Sequence, residues 1–401
     1  MTELATLLAE EYDLRRTVAR LRERLHAEGG DPTAVLPDLA AAETALVQKE
    51  QERAAVEVAA PGHRDGQVTL GDDTTKLVAT FTLRMAQVPT SIYHLLDAAT
   101  DPLVSGDILN KTEQQTRRLR VTAYLDGYSS PSVETLEIKA TKHGKFDLLP
   151  TLFPERLEQV HELTRATLNV LIEDLASTTG VELHRTTPVW LLPRTTAPLA
   201  VRDPQTGAIR DLTRYLGAFV TPNDPPVMAF LRRAAEHHPE KRLVGYQVDA
   251  AGVELQVKAM FEALKAEANI TYVNSVIAFT PDDGTSTQRV RLPAESLTDQ
   301  QANCIDGTVL MASLIEAASM NAAIVVVPGH AFVGWEKARG KGEWDYLETT
   351  MIGSQDFAVA NQHARQLATT YEALRTQLND ESRFRRWSVR ELRGQRITPL
   401  Q

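Results

Sequence analysis

The chain has 401 residues, of which 43% are hydrophobic and 24% charged, values typical of a globular protein with two or three domains. Its net charge of −10 argues against non-specific nucleic-acid binding by the whole chain. No stretch approaches the roughly 18 consecutive apolar residues of a membrane-spanning helix, and a single cysteine excludes an internal disulfide.

The first residues, from Met1, lack the positive segment and the long apolar segment of a secretory signal peptide. Together with the single cysteine, this predicts a cytoplasmic protein that does not contact a membrane. Frequent Ala and Arg residues are typical of GC-rich bacterial genomes, so we expect a bacterial source.

Residues 1–60 are predicted to form a helical hairpin similar to a coiled coil. Gly29-Gly30 end the first helix, and Asp31-Pro32 begin the second. In the first helix, apolar residues follow steps of three and four with Glu11 as the polar interruption: Leu4, Leu7, Leu14, Val18, Leu21 and Leu25. This seam must be buried on the rest of the chain, on a second copy or on a partner protein.

From residue 66 to 205 the apolar pattern changes to the period of two that is typical of strands. Turn signals such as Tyr128-Ser129-Ser130-Pro131 separate the segments, and 153–175 fits either short helix or strand. The alternating segments are 77–85, 119–125, 133–138 and 189–192. We predict a β-sandwich-like accessory domain, which binds or scaffolds and holds no catalytic group.

Residues 211–355 have the mixed pattern of an α+β domain. Predicted helices cover 227–238, 253–264 and 304–321, and predicted strands cover 323–327, 331–335 and 344–348. Residues 356–401 are predicted to be a helical and basic extension. Because Trp387, Glu391 and Leu392 interrupt its arginines, we expect a packed, charged element and not a nucleic-acid patch.

Cys304 is the only cysteine and stands just before an apolar helical run. The thiolate is the reactive form of cysteine, and free thiols are mostly protonated at neutral pH. The start of a helix favours the anion through unpaired N–H groups and the helix dipole. A buried free cysteine is often a core filler, but the polar approach from Asp299 to Asn303 favours a nucleophile.

His330 follows the turn Pro328-Gly329 and begins an alternating strand, which would place its imidazole at a strand edge. A general base in that position could take the thiol proton. The alternative is a structural turn histidine. None of the other histidines has a comparable setting; His237-His238, for example, lies at a polar helix end.

A third group, an acid that orients the imidazole, has two candidates, Asp345 and Glu348. They have opposite parity in the predicted strand 344–348, so only one can face His330. The scattered histidines and single cysteine show no metal-ligand spacing, and no Gly-rich phosphate loop is present. We therefore expect neither a metal nor a cofactor.

With these residues in place, the segment from about 250 to 353 resembles the transglutaminase-like superfamily, cysteine peptidases and acyl transferases with a papain-like Cys-His-Asp core. Residues 291–297 resemble the extended segment that precedes the family's nucleophile, and Cys304 with Asp306 resembles its nucleophile helix. His330-Ala331-Phe332-Val333 is similar to the family's His-Ala-Trp-Val strand. The segment 344–350 resembles its Trp…Asp-Pro-Thr element, which implies Glu348 and not Asp345 as the acid.

The chain departs from the family at two positions, with Ala302 where Gly is common and Glu348 where Asp is usual. A longer carboxylate can still reach an imidazole. The oxyanion hole would use the Cys304 backbone N–H and a donor from upstream, for which Gln300 and Gln301 are weak candidates.

These patterns predict a cytoplasmic cysteine hydrolase, a peptidase acting on a protein substrate through Cys304, His330 and Glu348. An amine acceptor in place of water would make the same chain an acyl transferase that cross-links or modifies proteins. A third hypothesis is a degenerate, non-catalytic binding scaffold. Substrate and oligomeric state have no sequence signal.

Overall fold

The fold is given by a computed structural model that describes residues 3–26, 32–59, 67–70, 76–176, 181–202, 209–273 and 286–400. The chain contains both helices and strands, and the strands form several small sheets. This is an α+β fold. The predicted end of the first helix at Gly29-Gly30, and Asp31 after it, lie outside the described residues, whereas Pro32 begins the second helix as predicted.

The chain begins with two long helices, α1 (Glu3–His26) and α2 (Pro32–Ala59). They lie side by side, and ion pairs join them at Lys49–Glu10 and Arg22–Glu43. Glu11, the polar interruption in the apolar pattern, is buried and pairs with Arg15 one turn later. The negative charge of Glu11 is thus paired with a positive charge of the same helix.

Two sheets follow and share one apolar core. One sheet has the order β1-β2-β4-β7 and the other β3-β9-β8-β5-β6. Inward-facing residues alternate with exposed ones; in β5, for example, Leu119, Val121 and Ala123 are buried. The bounds are β1 (Gln67–Leu70), β2 (Leu77–Leu83), β3 (Gln87–Val88), β4 (Val104–Asn110), β5 (Arg117–Leu125), β6 (Ser132–Ile138), β7 (His143–Leu148), α3 (Pro154–Leu157), β8 (Thr164–Asp174) and β9 (Val181–Leu191).

The next segment connects this part to the candidate site. It contains β10 (Thr196–Arg202), β11 (Ile209–Asp211), α4 (Pro225–Glu236), α5 (Ala250–Ala263), β12 (Thr271–Tyr272), β13 (Ser286–Arg289), α6 (Pro293–Asp299) and β14 (Gln301–Ala302). β10 lies between β11 and β13, and β12 pairs in parallel with β14. The parallel pair holds the chain in place immediately before Cys304.

The last part is built on one antiparallel sheet with the order β17-β16-β15-β18. Its elements are α7 (Cys304–Ala317), β15 (Ala322–Val327), β16 (His330–Glu336), β17 (Trp344–Leu347), α8 (Phe357–Leu378), β18 (Arg385–Ser388) and α9 (Val389–Gly394). Both central strands are buried almost throughout, because helices cover both faces of the sheet.

Side chains alternate along β16, so successive residues lie on opposite faces of the sheet. Ala331, Val333 and Trp335 join the core formed with α4, α5 and α7. Phe332 points to the other face, where it joins residues of α8 and of the hairpin, including Val18 and Leu21. Three layers result, with the Cys304 helix on one face and the hairpin with α8 on the other.

One feature of this part differs from the sequence interpretation. Residues 385–388 of the basic extension form the edge strand β18, although Arg385 and Arg386 gave no apolar alternation. The apolar seam of the hairpin packs partly on the sheet of its own chain, which is one of the three alternatives that the sequence left open. Among the described residues, no helix is long and apolar enough to cross a membrane.

Candidate active site

Cys304 is the first residue of α7, a position fixed by a capping box. The Asn303 side chain accepts a hydrogen bond from the Asp306 backbone N–H (2.8 Å), and the Asp306 carboxylate accepts one from the Asn303 N–H (3.1 Å). The first-turn N–H groups of a helix have no partner within it. The Asn303 side chain accepts from the N–H of Asp306 and not from that of Cys304. The Cys304 N–H is therefore suited to donate to a negatively charged oxygen of a bound substrate.

A buried ion pair supports this helix start. Arg291 and Asp306 are 4% and 0% exposed, respectively. One Asp306 oxygen accepts from the Arg291 backbone N–H (2.8 Å), and the other accepts from Arg291 Nη1 (2.9 Å). Sequence reasoning took Arg291 only as part of an extended lead-in, since no pattern within one sequence links residues this far apart in the chain.

His330 is held at the end of a tight hairpin between β15 and β16. Val327 and His330 are paired across the two strands, and Pro328-Gly329 form the connection. Gly329 has φ of +74°, which glycine adopts without steric cost. The side chain of Arg22 from α1 lies so close to Gly329 that an added Cβ would meet it at 2.5 Å. The hairpin of helices therefore contacts the turn that positions the imidazole.

Glu348 follows β17 directly and caps the short turn Thr349–Met351. Its Oε1 accepts from the Thr350 backbone N–H (3.0 Å) and from the Thr350 hydroxyl (2.7 Å). Its Oε2 lies 2.6 Å from His330 Nε2. Two hydrogen bonds thus hold one carboxylate oxygen while the other faces the imidazole.

The structure brings Cys304, His330 and Glu348 together. The thiol is within hydrogen-bonding reach of the imidazole. Because Nε2 of His330 is occupied by Glu348, the nitrogen that remains for the thiol is Nδ1. Cys304 itself is half-buried, whereas the Glu348 side chain is fully buried. The order from solvent inward is thiol, imidazole, carboxylate.

The charges in this cluster are strongly coupled. Burial lowers the pKa of His330, but the Glu348 carboxylate and the Cys304 thiol outweigh it and raise this pKa to about 10. Burial raises the pKa of Glu348, yet the His330 charge and the Thr350 hydrogen bonds bring it down to about 2. At neutral pH the site therefore favours an imidazolium paired with a carboxylate.

The other candidate acid, Asp345, lies on the opposite side of β17. Its carboxylate accepts a hydrogen bond from the Asn361 side chain (3.0 Å) and pairs with Arg365, both on α8. Asp345 therefore joins α8 to the sheet and does not face His330.

Tyr272 is a neighbour of the thiol that sequence reasoning missed. It is 48% exposed and pairs with Ala302 in the β12–β14 ladder, two residues before Cys304. Burial, followed by the negative charges of Cys304 and Glu348, raises its pKa to about 12, so the phenol keeps its proton. It stands in a different segment of the chain from the lead-in to Cys304, and only the pairing of β12 with β14 brings the two together.

The two glutamines proposed as oxyanion donors have different environments. Gln300 is exposed and ends α6 with a left-handed φ of 54°. Gln301 is half-buried in β14, opposite Thr271. Both side chains belong to the lead-in to Cys304. Among the described residues, no group of three or more His, Cys, Asp or Glu side chains could hold a metal ion.

The chain matches no known family model and no curated protein. A native alpha-2-macroglobulin fragment from Escherichia coli is 12% identical with a TM-score of 0.20, over 48% of this chain and 34% of that one. An exo-chitosanase from Amycolatopsis orientalis is 9% identical with a TM-score of 0.18, over 63% of this chain and 30% of that one. This chain thus spans about a third of the length of either protein. At such TM-scores neither likeness carries an argument.

Proposed function

We propose that this chain is a cysteine hydrolase, a peptidase that cleaves an amide bond of a protein or peptide substrate. The observation that carries the proposal is the position of His330 between the Cys304 thiol and the Glu348 carboxylate. His330 Nε2 lies 2.6 Å from Glu348 Oε2. The same order of Cys, His and acid is what the resemblance to the transglutaminase-like superfamily implies.

In the proposed reaction the raised pKa of His330 favours an imidazolium at the site, and the sulfur of Cys304 reacts as the thiolate. The sulfur attacks the amide carbonyl carbon, and the Cys304 N–H stabilises the resulting oxyanion. His330 donates its proton to the leaving amine, which gives a thioester. It then takes a proton from water, which attacks the thioester and releases the carboxylic acid.

Glu348 keeps its charge throughout this cycle. Its carboxylate is fixed by Thr350 and accepts from His330 Nε2, so Nδ1 remains directed at the thiol. This is the orienting role of the acid in a catalytic triad. An amine could replace water in the second half, and the thioester would then lead to acyl transfer.

Alkylation by iodoacetamide tests the nucleophile directly, because every cysteine signal comes from Cys304. At pH 6.5 the native chain should react about tenfold faster than glutathione, and His330→Ala should lose that advantage. Cys304→Ala is the blank. Since Cys304 is half-buried, its removal should leave the melting temperature almost unchanged. An ordinary thiol rate in the native chain would overturn the proposal.

The reaction class requires a second measurement. The native chain and Cys304→Ala would be incubated with a bacterial lysate containing a fluorescent primary amine. Mass spectrometry of new N-termini detects cleavage, and fluorescence on protein bands detects amine addition. New N-termini made only by the native chain support the peptidase; amine incorporation without them would replace it by the acyl transferase.

A further inference from the structure

The first turn of α7, which begins with the proposed nucleophile, also contains a buried acidic residue. Asp306 stands two residues after Cys304 and is fully buried. Its two oxygens accept three hydrogen bonds from N–H groups of Arg291 and Asn303, and none of these contacts needs a protonated carboxyl. Burial raises the pKa of Asp306, and the hydrogen bonds from Arg291 and Asn303 oppose that rise by stabilising the carboxylate.

That charge has an electrostatic cost for a thiolate at the same helix start. The positive end of the helix dipole favours an anion there, but a nearby carboxylate opposes a second anion. Arg291 Nη1, at 2.9 Å from Asp306 Oδ2, cancels this charge in a place that water does not reach. Without the guanidinium, the charge of Asp306 would oppose the effect of the helix dipole on the thiolate.

Stability alone is a poor reason for such a pair. A buried ion pair is often no more stabilising than apolar residues of similar volume, because both charges lose their hydration. A role for the charge itself is a better explanation of Arg291. We propose that Arg291 is a positioning residue of the site: it neutralises Asp306 so that the start of α7 favours the Cys304 thiolate.

This inference rests on the proposed function, since it concerns the reactivity of the same thiol. The other ionisable groups facing Cys304 or the pair come from separate elements. They are His330 on β16, Glu348 after β17, Tyr272 on β12 and Asp299 at the end of α6. The variants below leave these four groups unchanged, so a shift between variants reports the pair.

The test measures the iodoacetamide rate from pH 5 to 9 and takes the pH of half-maximal rate as the alkylation midpoint. Arg291→Gln leaves an uncompensated carboxylate and should raise the midpoint by about one pH unit, which slows the rate below the midpoint about tenfold. Asp306→Asn leaves an uncompensated guanidinium and should move the midpoint down. Arg291→Lys, which keeps the charge, should restore most of the native value.

Opposite shifts are the decisive result, because general damage to the helix start would slow both variants. A decrease in rate of equal size in both would overturn the inference. If Arg291→Gln does not fold, the double variant Arg291→Gln/Asp306→Asn removes both charges and should return the midpoint close to native; a displaced midpoint there would contradict us.

The matched control is another buried ion pair, between Arg117 on β5 and Asp174 on β8. Their side chains are 8% and 7% exposed, and Arg117 Nη2 lies 2.7 Å from Asp174 Oδ2. Arg117→Gln should destabilise the chain and leave the alkylation midpoint unchanged. A native Cys304 with the reactivity of glutathione would refute the proposed function itself. An activated native thiol whose midpoint ignores the Arg291 and Asp306 variants would refute only the role of Arg291.

Discussion

At the scale of single residues, Glu348 is held at both oxygens of its carboxylate. Thr350 fixes one carboxylate oxygen through two hydrogen bonds, and the other oxygen meets His330. The additional methylene of glutamate lets the carboxylate cap its own turn and still reach the imidazole. The residue is therefore both a local cap and a long-range partner.

Glu348→Gln should separate the charge of this group from its shape. The amide can still cap the turn, but it no longer stabilises an imidazolium, so the pKa of His330 should fall. We expect the alkylation rate of Cys304 at pH 6.5 to fall about tenfold, to that of an ordinary thiol, as in His330→Ala. Glu348→Asp should retain part of it. Native-like alkylation of the glutamine variant would contradict this role.

The same pair predicts a pH dependence of stability. The folded pKa of His330 is raised to about 10, so its contribution is complete below pH 6.5 and is lost as pH rises toward 10. The folded pKa of Glu348 is lowered to about 2, so its contribution is present above pH 4.5 and is lost toward pH 2. Urea unfolding from pH 6 to 10 should show a decline that flattens in Glu348→Gln. Identical slopes in both chains would contradict the coupling.

Sequence alone indicated the three candidate side chains because each stands at a boundary between elements. Strand parity separated Asp345 from Glu348 onto opposite faces, and the structure places them so. Arg291 and Tyr272 could not be found in this way. Their relation to Cys304 depends on how distant segments pack, and neither lies in a periodic pattern.

At the scale of elements, the approach of α7 to the turn after β17 determines whether Glu348 can reach the site. Gly307 faces Thr349 so closely that an added Cβ would lie 2.8 Å from the Thr349 hydroxyl oxygen and 3.0 Å from its Cβ. Glycine inside a helix costs about 1 kcal/mol relative to alanine. Close packing at this position therefore takes precedence over helix propensity.

Gly307→Ala should be destabilising despite its better propensity. Overpacking costs about 1–3 kcal/mol, which exceeds the propensity gain of about 1 kcal/mol, and displacement of Thr349 should also slow Cys304 alkylation. Gly394→Ala in α9 is the matched control, because an added Cβ there meets nothing within 4 Å. Urea unfolding of both variants makes the comparison. A Gly307→Ala chain as stable as Gly394→Ala would show that the turn moves without cost.

Helices and strands were predictable where one face of the element, or the whole element, is buried. The helix at Cys304 and the strands β15, β16 and β17 lie within a few residues of their predicted positions, because their apolar patterns are strong. β18 was missed since an edge strand that carries Arg385 and Arg386 has no alternating pattern. Its place in the sheet comes from pairing with β15, which is a tertiary property.

At the scale of the whole molecule, the N-terminal hairpin is joined to the layer that holds the site. Glu43 on α2 accepts from Arg22 on α1 at 3.2 and 2.9 Å and also pairs with Arg383 before β18. Arg22 in turn lies against Gly329, next to His330. Self-association of the hairpin or docking to a partner stays a prediction. A partner protein that bound the hairpin at Arg22 and Glu43 would have to displace their ion pairs.

Glu43→Gln should loosen the hairpin and the His330 turn together. Loss of the charge weakens the hydrogen bonds that Arg22 and Arg383 donate to this side chain, although Arg383 keeps its pair with Asp380, at a cost of about 1–3 kcal/mol. Hydrogen exchange followed by mass spectrometry should then be faster in α1, in α2 and in the β15–β16 turn, and unchanged in β5 and β8. Glu173→Gln, which breaks an exposed pair with Arg120 in the accessory sheets, should leave the hairpin as in the native chain. Faster exchange in α1 and α2 alone, with the His330 turn unaffected, would mean that the hairpin packs on the sheet without holding the site.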